Sequence, residues 1–361
     1  MINDFERTRP FDGFYEGAKV LVTGGMGFVG AHIVRRLVAL GADVTVLDLD
    51  CSNQRLSMVN DRRERIRARV TMAECDVGRV DDLRCLFSSE RFDVIFHLAA
   101  YAVIERSALH PIDTIHTNAL GIVNIMEALR SLNHKPAAIV LASTDKVYGE
   151  MDANEYSESS PLRGMGLYDA AKLAGDVFAR TYHEVFGLPT VVLRLCNLFG
   201  PHDYNTDFRL IPKALTHIFG SPEPLAPILY FDSLSHWRDY LYVEDAAHAF
   251  LQVAASERCR GDVFNISAAA HAATPEILKT VVEMSAEYEA LFDKDRAKKI
   301  VCNGISVAVR TNGVGVLTIS RQHLDGSKLR DAVGFEPQVR FADGIRRTIE
   351  FYRSHYLGSG R

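Results

Sequence analysis

The chain of 361 residues is 47% hydrophobic and 24% charged, which is typical of a soluble globular protein with one large domain or two closely joined ones. Its net charge of −5 and its pI of about 6.2 exclude the strongly basic surface of a nucleic-acid-binding protein. The one basic run, RRERIRAR at 62–69, is typical of a solvated helix face, so no nucleic-acid partner is expected.

The cysteines and the N-terminus indicate the cellular compartment. The six cysteines form no C-x-x-C pair and no cluster with zinc-ligand spacing, so we expect buried free thiols and no metal site. The N-terminal stretch MINDFERTRPFDGFYEG lacks the apolar core of a signal peptide, and no run of about 18 apolar residues could span a membrane. These patterns predict a cytoplasmic protein without a membrane partner.

The N-terminal part of the chain alternates short apolar runs with segments of helical periodicity. Such alternation favours parallel strands joined by right-handed crossovers, and runs that are apolar on both faces indicate a sheet covered by helices. The sequence therefore predicts an α/β fold with a doubly wound (Rossmann-type) parallel sheet of about seven strands. The predicted strands are 18–24, 43–50, 69–77, 92–100, 137–144 and 189–200, and the predicted helices are 29–41, 118–132 and 168–187.

Beyond residue 200 this pattern loosens, with more loops, glycines and prolines. We predict a first domain at 17–200 and a smaller α/β C-terminal region formed by 201–237 and 259–350. The segment 238–258 has the pattern of a strand and a helix that return to the first domain.

A glycine-rich loop, VTGGMGFVG, follows the first predicted strand and opens the first predicted helix. Gly24, Gly27 and Gly30 let the backbone approach a pyrophosphate, and the helix N-terminus supplies N–H groups and a positive dipole. Asp48 closes the next strand, where a carboxylate bonds ribose hydroxyls and repels a 2′-phosphate, so NAD is favoured over NADP. Asp76, after the third strand, could accept from the adenine amine. The alternative is a tight strand–helix turn without a ligand.

Tyr168 and Lys172 lie four residues apart and share one face of a predicted helix. A free tyrosine has a pKa of about 10 and is a poor base at neutral pH. A nearby ammonium and an oxidised nicotinamide would stabilise its phenolate, which could then take the proton of a sugar or alcohol hydroxyl. Thr144, at the end of the fifth predicted strand, could hydrogen-bond the same oxygen.

The motifs from about residue 18 to 350 resemble, in their order, the nucleotide-sugar branch of the extended short-chain dehydrogenase/reductase family. One departure is Ala171, where many members of the family have serine. The matching stretches are TGGMGFVG, VLDLD, CDV, HLAA, NALG, STDKVYG, YDAAK, LRLCNLFGP, RDYLYVED and DGSKLRDAVGFEP.

This resemblance implies an NAD-binding first domain, a nucleotide-sugar-binding C-terminal region and a homodimer that pairs the helices at about 112–132 and 168–186. The residues implied to hold NAD are Gly24, Gly27, Phe28, Val29, Gly30, Asp48, Asp76, Val77, Leu98, Ala99, Ala100 and Asn118, with Tyr168 and Lys172. The implied hydride-transfer triad is Thr144, Tyr168 and Lys172. The residues implied to contact the diphosphate of a nucleotide-sugar substrate are Asn197 and Arg238, and Arg209 could meet a phosphate.

The charged pair Asp145–Lys146 follows the triad threonine in ASTDKVYGE. Family 4-epimerases usually have small or uncharged residues here, whereas 4,6-dehydratases have a charged pair. The Asp–Lys version is similar to that of CDP-glucose 4,6-dehydratases and inverting UDP-N-acetylglucosamine 4,6-dehydratases. A 4,6-dehydratase must remove the proton at C5 of the sugar and protonate the departing C6 hydroxyl. We therefore expect Asp145 to act as the acid towards the C6 oxygen and Lys146 as the C5 base. A nucleotide-sugar 4-epimerase and a non-catalytic NAD-binding protein remain alternatives, and the nucleotide and hexose stay open.

Overall fold

The computed structural model describes residues 11, 13–52, 66–150, 155–230, 233–268, 271–309 and 319–358. Its strands are β1 (Lys19–Thr23), β2 (Asp43–Asp48), β3 (Thr71–Glu74), β4 (Val94–His97), β5 (Ala138–Thr144), β6 (Thr190–Leu195), β7 (Asn197–Phe199), β8 (Ile228–Tyr230), β9 (Trp237–Tyr242), β10 (Val263–Ile266), β11 (His271–Ala273) and β12 (Ser306–Ala308).

The helices are α1 (Phe28–Ala39), α2 (Val80–Ser89), α3 (Ile104–Leu109), α4 (Pro111–Ile115), α5 (Gly121–Ser131), α6 (Leu167–Phe186), α7 (Leu210–Phe219), α8 (Val243–Ala255), α9 (Thr274–Glu289), α10 (Lys294–Asn303), α11 (Ser327–Val333) and α12 (Phe341–Leu357). A π-helical turn at His116–Leu120 joins α4 to α5, and a 3₁₀ turn at Asp145–Tyr148 follows β5.

The main sheet has seven parallel strands in the order β10-β6-β5-β4-β1-β2-β3, which confirms the predicted doubly wound sheet. Successive side chains of a strand point to opposite faces, so each strand contributes to two cores. On β1, Val20 and Val22 pack with α1 and α8 on one face. Leu21 packs with α2 and α5 on the other face. Burial on both faces explains why these strands are apolar without alternation.

The predicted strand at 189–200 is two strands in the structure, broken at Cys196. The first part, β6, belongs to the main sheet, whereas β7 pairs with β9 in a separate sheet of order β11-β9-β7. The returning segment also divides: β9 lies in this smaller sheet, and α8 packs on the main sheet. The seventh strand of the main sheet is β10, from the region 259–350 that was predicted to lie outside the first domain.

The C-terminal region has its own core, in which α7, α9 and α12 pack together with residues of β7 and β9. It therefore lies beside the carboxyl end of β6, where the chain leaves the main sheet. In open parallel sheets, ligands bind at the carboxyl ends of the strands, so we expect the ligand cleft over β1, β4 and β5.

The expectation that every cysteine is a buried free thiol is corrected in part. All six are free, but Cys85 and Cys302 are exposed because they lie on the outer faces of α2 and α10. Among the described residues, no helix is long and apolar enough to cross a membrane.

Candidate active site

The glycine loop between β1 and α1 packs directly against the end of β4. Gly24 has φ +69°, and a Cβ on it would lie 2.7 Å from the backbone N of Ala99. A Cβ on Gly30 would lie 2.3 Å from the carbonyl O of Gly24, so a side chain fits at neither position. Helix α1 begins at Phe28 without a side-chain cap, so its first N–H groups are available to an anion. This loop fits a dinucleotide pyrophosphate.

Two carboxylates lie at the carboxyl ends of β2 and β3. Asp48 accepts hydrogen bonds from the backbone N of Met26, at 3.0 Å, and of Leu49, at 2.9 Å. Its carboxylate therefore faces the glycine loop, where the ribose of a dinucleotide would lie. Asp76 accepts from the backbone N of Gly78 at 2.8 Å and so fixes the turn after β3. Both positions are compatible with the adenosine contacts predicted from the sequence.

The end of β4 is held by Thr23 and His97. The Thr23 hydroxyl lies 2.7 Å from His97 Nδ1 and accepts from the backbone N of Ala99, while Leu98 N donates to the Thr23 carbonyl. Burial, with a smaller effect from the charge of Lys172, lowers the pKa of His97 to about 3, so its ring stays neutral. His97 thus positions the segment Leu98–Ala100, which the resemblance implies as part of the cofactor site.

Asn118 and Val77 support the same edge of the sheet from the other side. Asn118 lies in the π-helical turn, and its amide accepts from Tyr101 N at 2.8 Å and donates to Tyr101 O at 3.1 Å. Val77 is buried, and its carbonyl accepts from the amide of Asn124 at 2.9 Å. The structure therefore gives both residues a part in holding loops, and their contact with NAD stays a prediction.

Tyr168 and Lys172 lie one turn apart on α6, as the sequence predicted. Lys172 is buried and its Nζ donates to the carbonyl O of Ala142 at 2.9 Å, and burial lowers its pKa to about 8. The half-buried Tyr168 lies beside Thr144, whose hydroxyl favours the phenolate and so acts to lower the pKa of the tyrosine. Burial raises the pKa of Tyr168 well above its usual range, and the largest opposing effect is the charge of Arg209. Without a ligand, Tyr168 is therefore held as a phenol.

The 3₁₀ turn after β5 holds the charged pair next to this tyrosine. The Thr144 hydroxyl accepts from Lys146 N at 3.3 Å and donates to Asp145 Oδ1 at 3.1 Å. Asp145 Oδ1 also accepts from Lys146 Nζ at 3.3 Å. Asp145 is only 1% exposed, and within the described chain its Oδ2 has no hydrogen-bond partner. A buried carboxylate oxygen without a partner is costly and requires an explanation.

The three predicted substrate residues lie beyond β6, with Asn197 on β7, Arg238 on β9 and Arg209 directly before α7. The Asn197 amide donates to Asp239 O at 3.3 Å and so joins β7 to β9. Arg238 donates to Ser320 O at 3.2 Å, and burial lowers the pKa of its guanidinium. Arg209 is paired with Asp203, with 3.1 Å between Nη1 and Oδ2.

Arg209 lies close to residues of the predicted cofactor site. Its Cζ lies 5.5 Å from the ring centre of Phe28, the first residue of α1, and its charge acts on Tyr168. The expected phosphate contact of Arg209 therefore stays a prediction, with the glycine loop and the tyrosine as its nearest described surroundings.

Sequence reasoning missed a buried polar network behind these side chains. Arg194, in the middle of β6, is 1% exposed and pairs with the fully buried Asp176 of α6. A signal was present, because Asp176 follows Lys172 by four residues and so shares the face of α6 that carries the triad. A second missed contact is that Glu150, just after the 3₁₀ turn, accepts from the backbone N and hydroxyl of Ser320.

The family model described as GDP-mannose 4,6 dehydratase matches residues 21–348 of the chain. The chain belongs to this family. It is thus a nucleotide-sugar 4,6-dehydratase-like member of the extended short-chain dehydrogenases/reductases, as the motifs predicted. The dTDP-glucose 4,6-dehydratase of Neisseria meningitidis serogroup B is 30% identical over 348 residues, which cover 92% of this chain and 93% of that protein.

Solved structures from both reaction classes of the family superpose on the chain. A dTDP-glucose 4,6-dehydratase from Streptomyces venezuelae, solved with NAD bound, is 28% identical with a TM-score of 0.76, and the match covers 93% of this chain and 97% of that one. A UDP-glucose 4-epimerase from Thermus thermophilus in complex with NAD is also 28% identical, with a TM-score of 0.77 and coverage of 93% and 99%. Global similarity therefore does not separate the two reactions, and side chains must do so.

Proposed function

We propose that the protein is an NAD-dependent nucleotide-sugar 4,6-dehydratase, which oxidises C4, eliminates water across C5 and C6 and reduces C6. The observation that carries this proposal is the buried Asp145, which keeps one carboxylate oxygen without a partner in the described structure while Lys146 pairs with the other. A 4-epimerase needs only the triad for hydride transfer at C4. An additional acid and base beside that triad are what an elimination requires.

The dinucleotide site supports NAD as the cofactor. The space around Gly24 and Gly30 and the uncapped start of α1 suit a pyrophosphate. The carboxylate of Asp48 suits a ribose with a free 2′-hydroxyl and would repel the 2′-phosphate of NADP. NAD, when bound, would accept the hydride from C4 and return it at C6, so no net oxidation occurs and the same cofactor serves every turnover.

The residues of the triad would carry out the first half of the reaction. Tyr168 would take the proton of the C4 hydroxyl, with Thr144 hydrogen-bonded to the same region. The positive charge of a bound oxidised nicotinamide would favour the phenolate, together with the charge of Arg209. Because burial alone raises the pKa of Tyr168, the tyrosine would become a base only when the cofactor is present.

The pair on the 3₁₀ turn would carry out the elimination. The C5–H bond breaks and its proton goes to Lys146 Nζ, while Asp145 Oδ2 gives a proton to the C6 oxygen, which leaves as water. This step needs a protonated carboxyl and a neutral amine. A carboxyl protonated on Oδ2 beside a neutral amine holds the same number of protons as the ion pair, so the step requires no additional proton.

The proton balance also closes within these residues. After elimination, Lys146 returns its proton to C5 as C6 is reduced, which leaves Asp145 one proton short and Tyr168 one proton in excess. The Thr144 hydroxyl donates to Asp145 and lies beside Tyr168, so it would connect the residue that must lose a proton to the one that must gain it. The 4-keto-6-deoxy product thus differs from the substrate by one water only.

The test is mass spectrometry of the purified protein incubated separately with dTDP-glucose, CDP-glucose, UDP-glucose, GDP-mannose and UDP-N-acetylglucosamine. Loss of one water from one of these compounds supports the dehydratase and names its nucleotide. Unchanged mass with a new C4 stereoisomer by NMR would mean that the protein is a 4-epimerase, like the Thermus relative. Unchanged mass and stereochemistry with every compound, with NAD still bound, would indicate a non-catalytic NAD-binding protein.

We also propose that the protein forms a homodimer through α6 and the segment from α4 to α5. These elements carry large apolar side chains that are more than a third exposed in the single chain. Exposed apolar patches of this kind usually mark interfaces between proteins. The residues are Ile112, Ile115, Leu120, Val177, Phe178, Val185 and Phe186.

A further inference from the structure

Tyr148 ends the 3₁₀ turn that begins with Asp145 and Lys146, and its side chain is fully buried. Its hydroxyl accepts from Arg194 Nη1 at 2.8 Å and donates to Asn265 Oδ1 at 2.7 Å. The Arg194 Cζ lies 4.9 Å from the centre of the Tyr148 ring. Both hydrogen-bonding roles of the hydroxyl are thus taken by groups that are themselves buried, which fixes the tyrosine in position.

Arg194, which donates to the Tyr148 hydroxyl, connects the turn to α6, the helix that carries Tyr168 and Lys172. Arg194 donates from Nε to Asp176 Oδ2 at 2.8 Å and from Nη2 to Asp176 Oδ1 at 3.2 Å. Such two-point contacts between a guanidinium and a carboxylate have a defined geometry. Asp176 lies on α6, four and eight residues after Lys172 and Tyr168, so all three share one face. The chain of contacts therefore runs from the helix of the triad to the turn of the acid and base.

Asn265, which accepts from the Tyr148 hydroxyl, connects the turn to the C-terminal region. The Asn265 amide, on β10, donates to Tyr156 O at 2.9 Å and to Asp325 O at 3.2 Å. The rings of Tyr148 and Tyr156 are also stacked, with centres 5.4 Å apart. The end of the turn is thereby held between the main sheet and the region that would bind the sugar nucleotide.

We infer that Tyr148 is a positioning residue for the elimination half of the reaction, because it fixes the Asp145–Lys146 turn relative to Tyr168 and Lys172. This inference rests on the proposed dehydratase function. Tyr148 touches neither substrate nor cofactor in this role and acts through the two residues at the start of its turn. Lys172 donates to Ala142 O, and Thr144 is held by β5 itself, so C4 oxidation depends less on the Tyr148 hydroxyl.

The experiment is a single turnover of Tyr148→Phe with the sugar nucleotide that the wild-type protein dehydrates in the five-compound screen. Absorbance of the reduced cofactor reports C4 oxidation and its later decay, and uptake of solvent deuterium at C5 reports proton removal. We expect the oxidation rate to change less than about threefold, while deuterium uptake and decay slow by about 10- to 100-fold, as misplacement of catalytic groups does.

The matched control is Tyr15→Phe. Tyr15 is also buried, and its hydroxyl donates to the carbonyl O of Leu251 at 2.8 Å, away from the Asp145 turn. Thermal unfolding is measured for both variants. If Tyr15→Phe lowers the melting temperature comparably and shifts the balance of the two rates equally, the effect of Tyr148→Phe is general destabilisation and the inference is overturned.

A second variant keeps the test valid if Tyr148→Phe does not fold. Asn265→Ala removes the acceptor of the Tyr148 hydroxyl and the contacts to Tyr156 O and Asp325 O but leaves the Arg194–Tyr148 bond, so we expect the same selective slowing of elimination. Equal slowing of oxidation and elimination in either variant overturns the inference. A wild-type protein that eliminates no water from any compound instead refutes the proposed function, so the two failures are distinguishable.

Discussion

Asp145→Asn is expected to stop the reaction halfway. The substitution keeps the shape of the side chain but removes the proton that Oδ2 would give to the C6 oxygen. Loss of a general acid typically lowers a rate by about 10²- to 10⁴-fold, and a 10³-fold loss corresponds to about 4 kcal/mol in the barrier. In the proposed mechanism, oxidation at C4 depends on Tyr168 and Lys172 instead, so the reduced cofactor should accumulate while water loss falls by about this factor.

The same substitution should leave the fold nearly as stable as before. It removes an ion pair whose lysine side chain is 19% exposed, and pairs with access to solvent contribute about 1 kcal/mol or less. It also removes a charge from a site in which one carboxylate oxygen has no partner among the described residues, and this relief offsets the lost pair. The free energy of unfolding should therefore change by no more than about 1 kcal/mol.

The assay follows the reduced cofactor by absorbance and the loss of water by mass spectrometry in one reaction mixture. The control is Asp245→Asn, which changes a buried carboxylate that accepts from the backbone N of Gln338 and Val339, far from the triad. This control should lower stability without uncoupling the two halves. Wild-type dehydration by Asp145→Asn, or an equal loss of oxidation and water loss, would refute the assignment of Asp145 as the acid.

Three further predictions concern cofactor choice, assembly and pH. Asp48→Asn keeps the contact to Met26 N but removes the charge near a 2′-phosphate, so calorimetry should show the preference for NAD over NADP falling by roughly tenfold; an unchanged ratio would contradict the role of the carboxylate. Phe178→Glu should halve the mass by analytical ultracentrifugation, whereas Leu291→Glu, at an apolar side chain that is more exposed but lies outside the proposed interface, should not. Because burial lowers the pKa of His97 to about 3, its contribution to stability is present above the ordinary pKa of about 6.5 and is lost as the pH falls. Between pH 6.5 and 5, urea unfolding should show the wild-type protein losing about 2 kcal/mol more free energy of unfolding than His97→Gln loses. Equal losses in the two proteins would contradict this.

The cofactor end of the site could be predicted from the sequence because its determinants are local. Gly24, Gly30 and Asp48 belong to a strand–loop–helix unit whose spacing is visible in one stretch of sequence, and the structure leaves no room for a side chain at either glycine. The face shared by Tyr168 and Lys172 follows from helical periodicity alone.

The boundaries of the main sheet were harder to predict, because a chain can pass from one sheet to another within a continuous apolar stretch without any change in its sequence pattern. The stretch TVVLRLCNLF reads as one strand, yet Cys196 separates two strands that belong to different sheets. The seventh strand, VFNI at Val263–Ile266, is four residues long and lies among loops, so periodicity could not assign it. Its place beside β6 depends on long-range packing of Phe264 and Ile266.

The charge inside β6 also escaped sequence reasoning, because an arginine in an apolar strand is compatible with an exposed edge as well as with a buried pair. Arg194 can be buried only because Asp176 and Tyr148, distant in the sequence, satisfy its guanidinium. Removal of one partner from such a pair is far more costly than the pair's own net contribution. The network therefore constrains three segments of the site at once.

Asp176 and Asp145 are both buried carboxylates, but their hydrogen bonds indicate different roles. Both oxygens of Asp176 are hydrogen-bonded, by Arg194 and Arg180, and such a satisfied group can hold a fold without reacting. Asp145 is equally buried, but Thr144 and Lys146 share one of its oxygens while the other has no partner in the described chain. A purely structural pair has no reason to retain that cost, since a neutral side chain would fit without it. In the proposed dehydratase, a substrate hydroxyl would satisfy this oxygen during turnover, whereas the 4-epimerase alternative gives the acid no role.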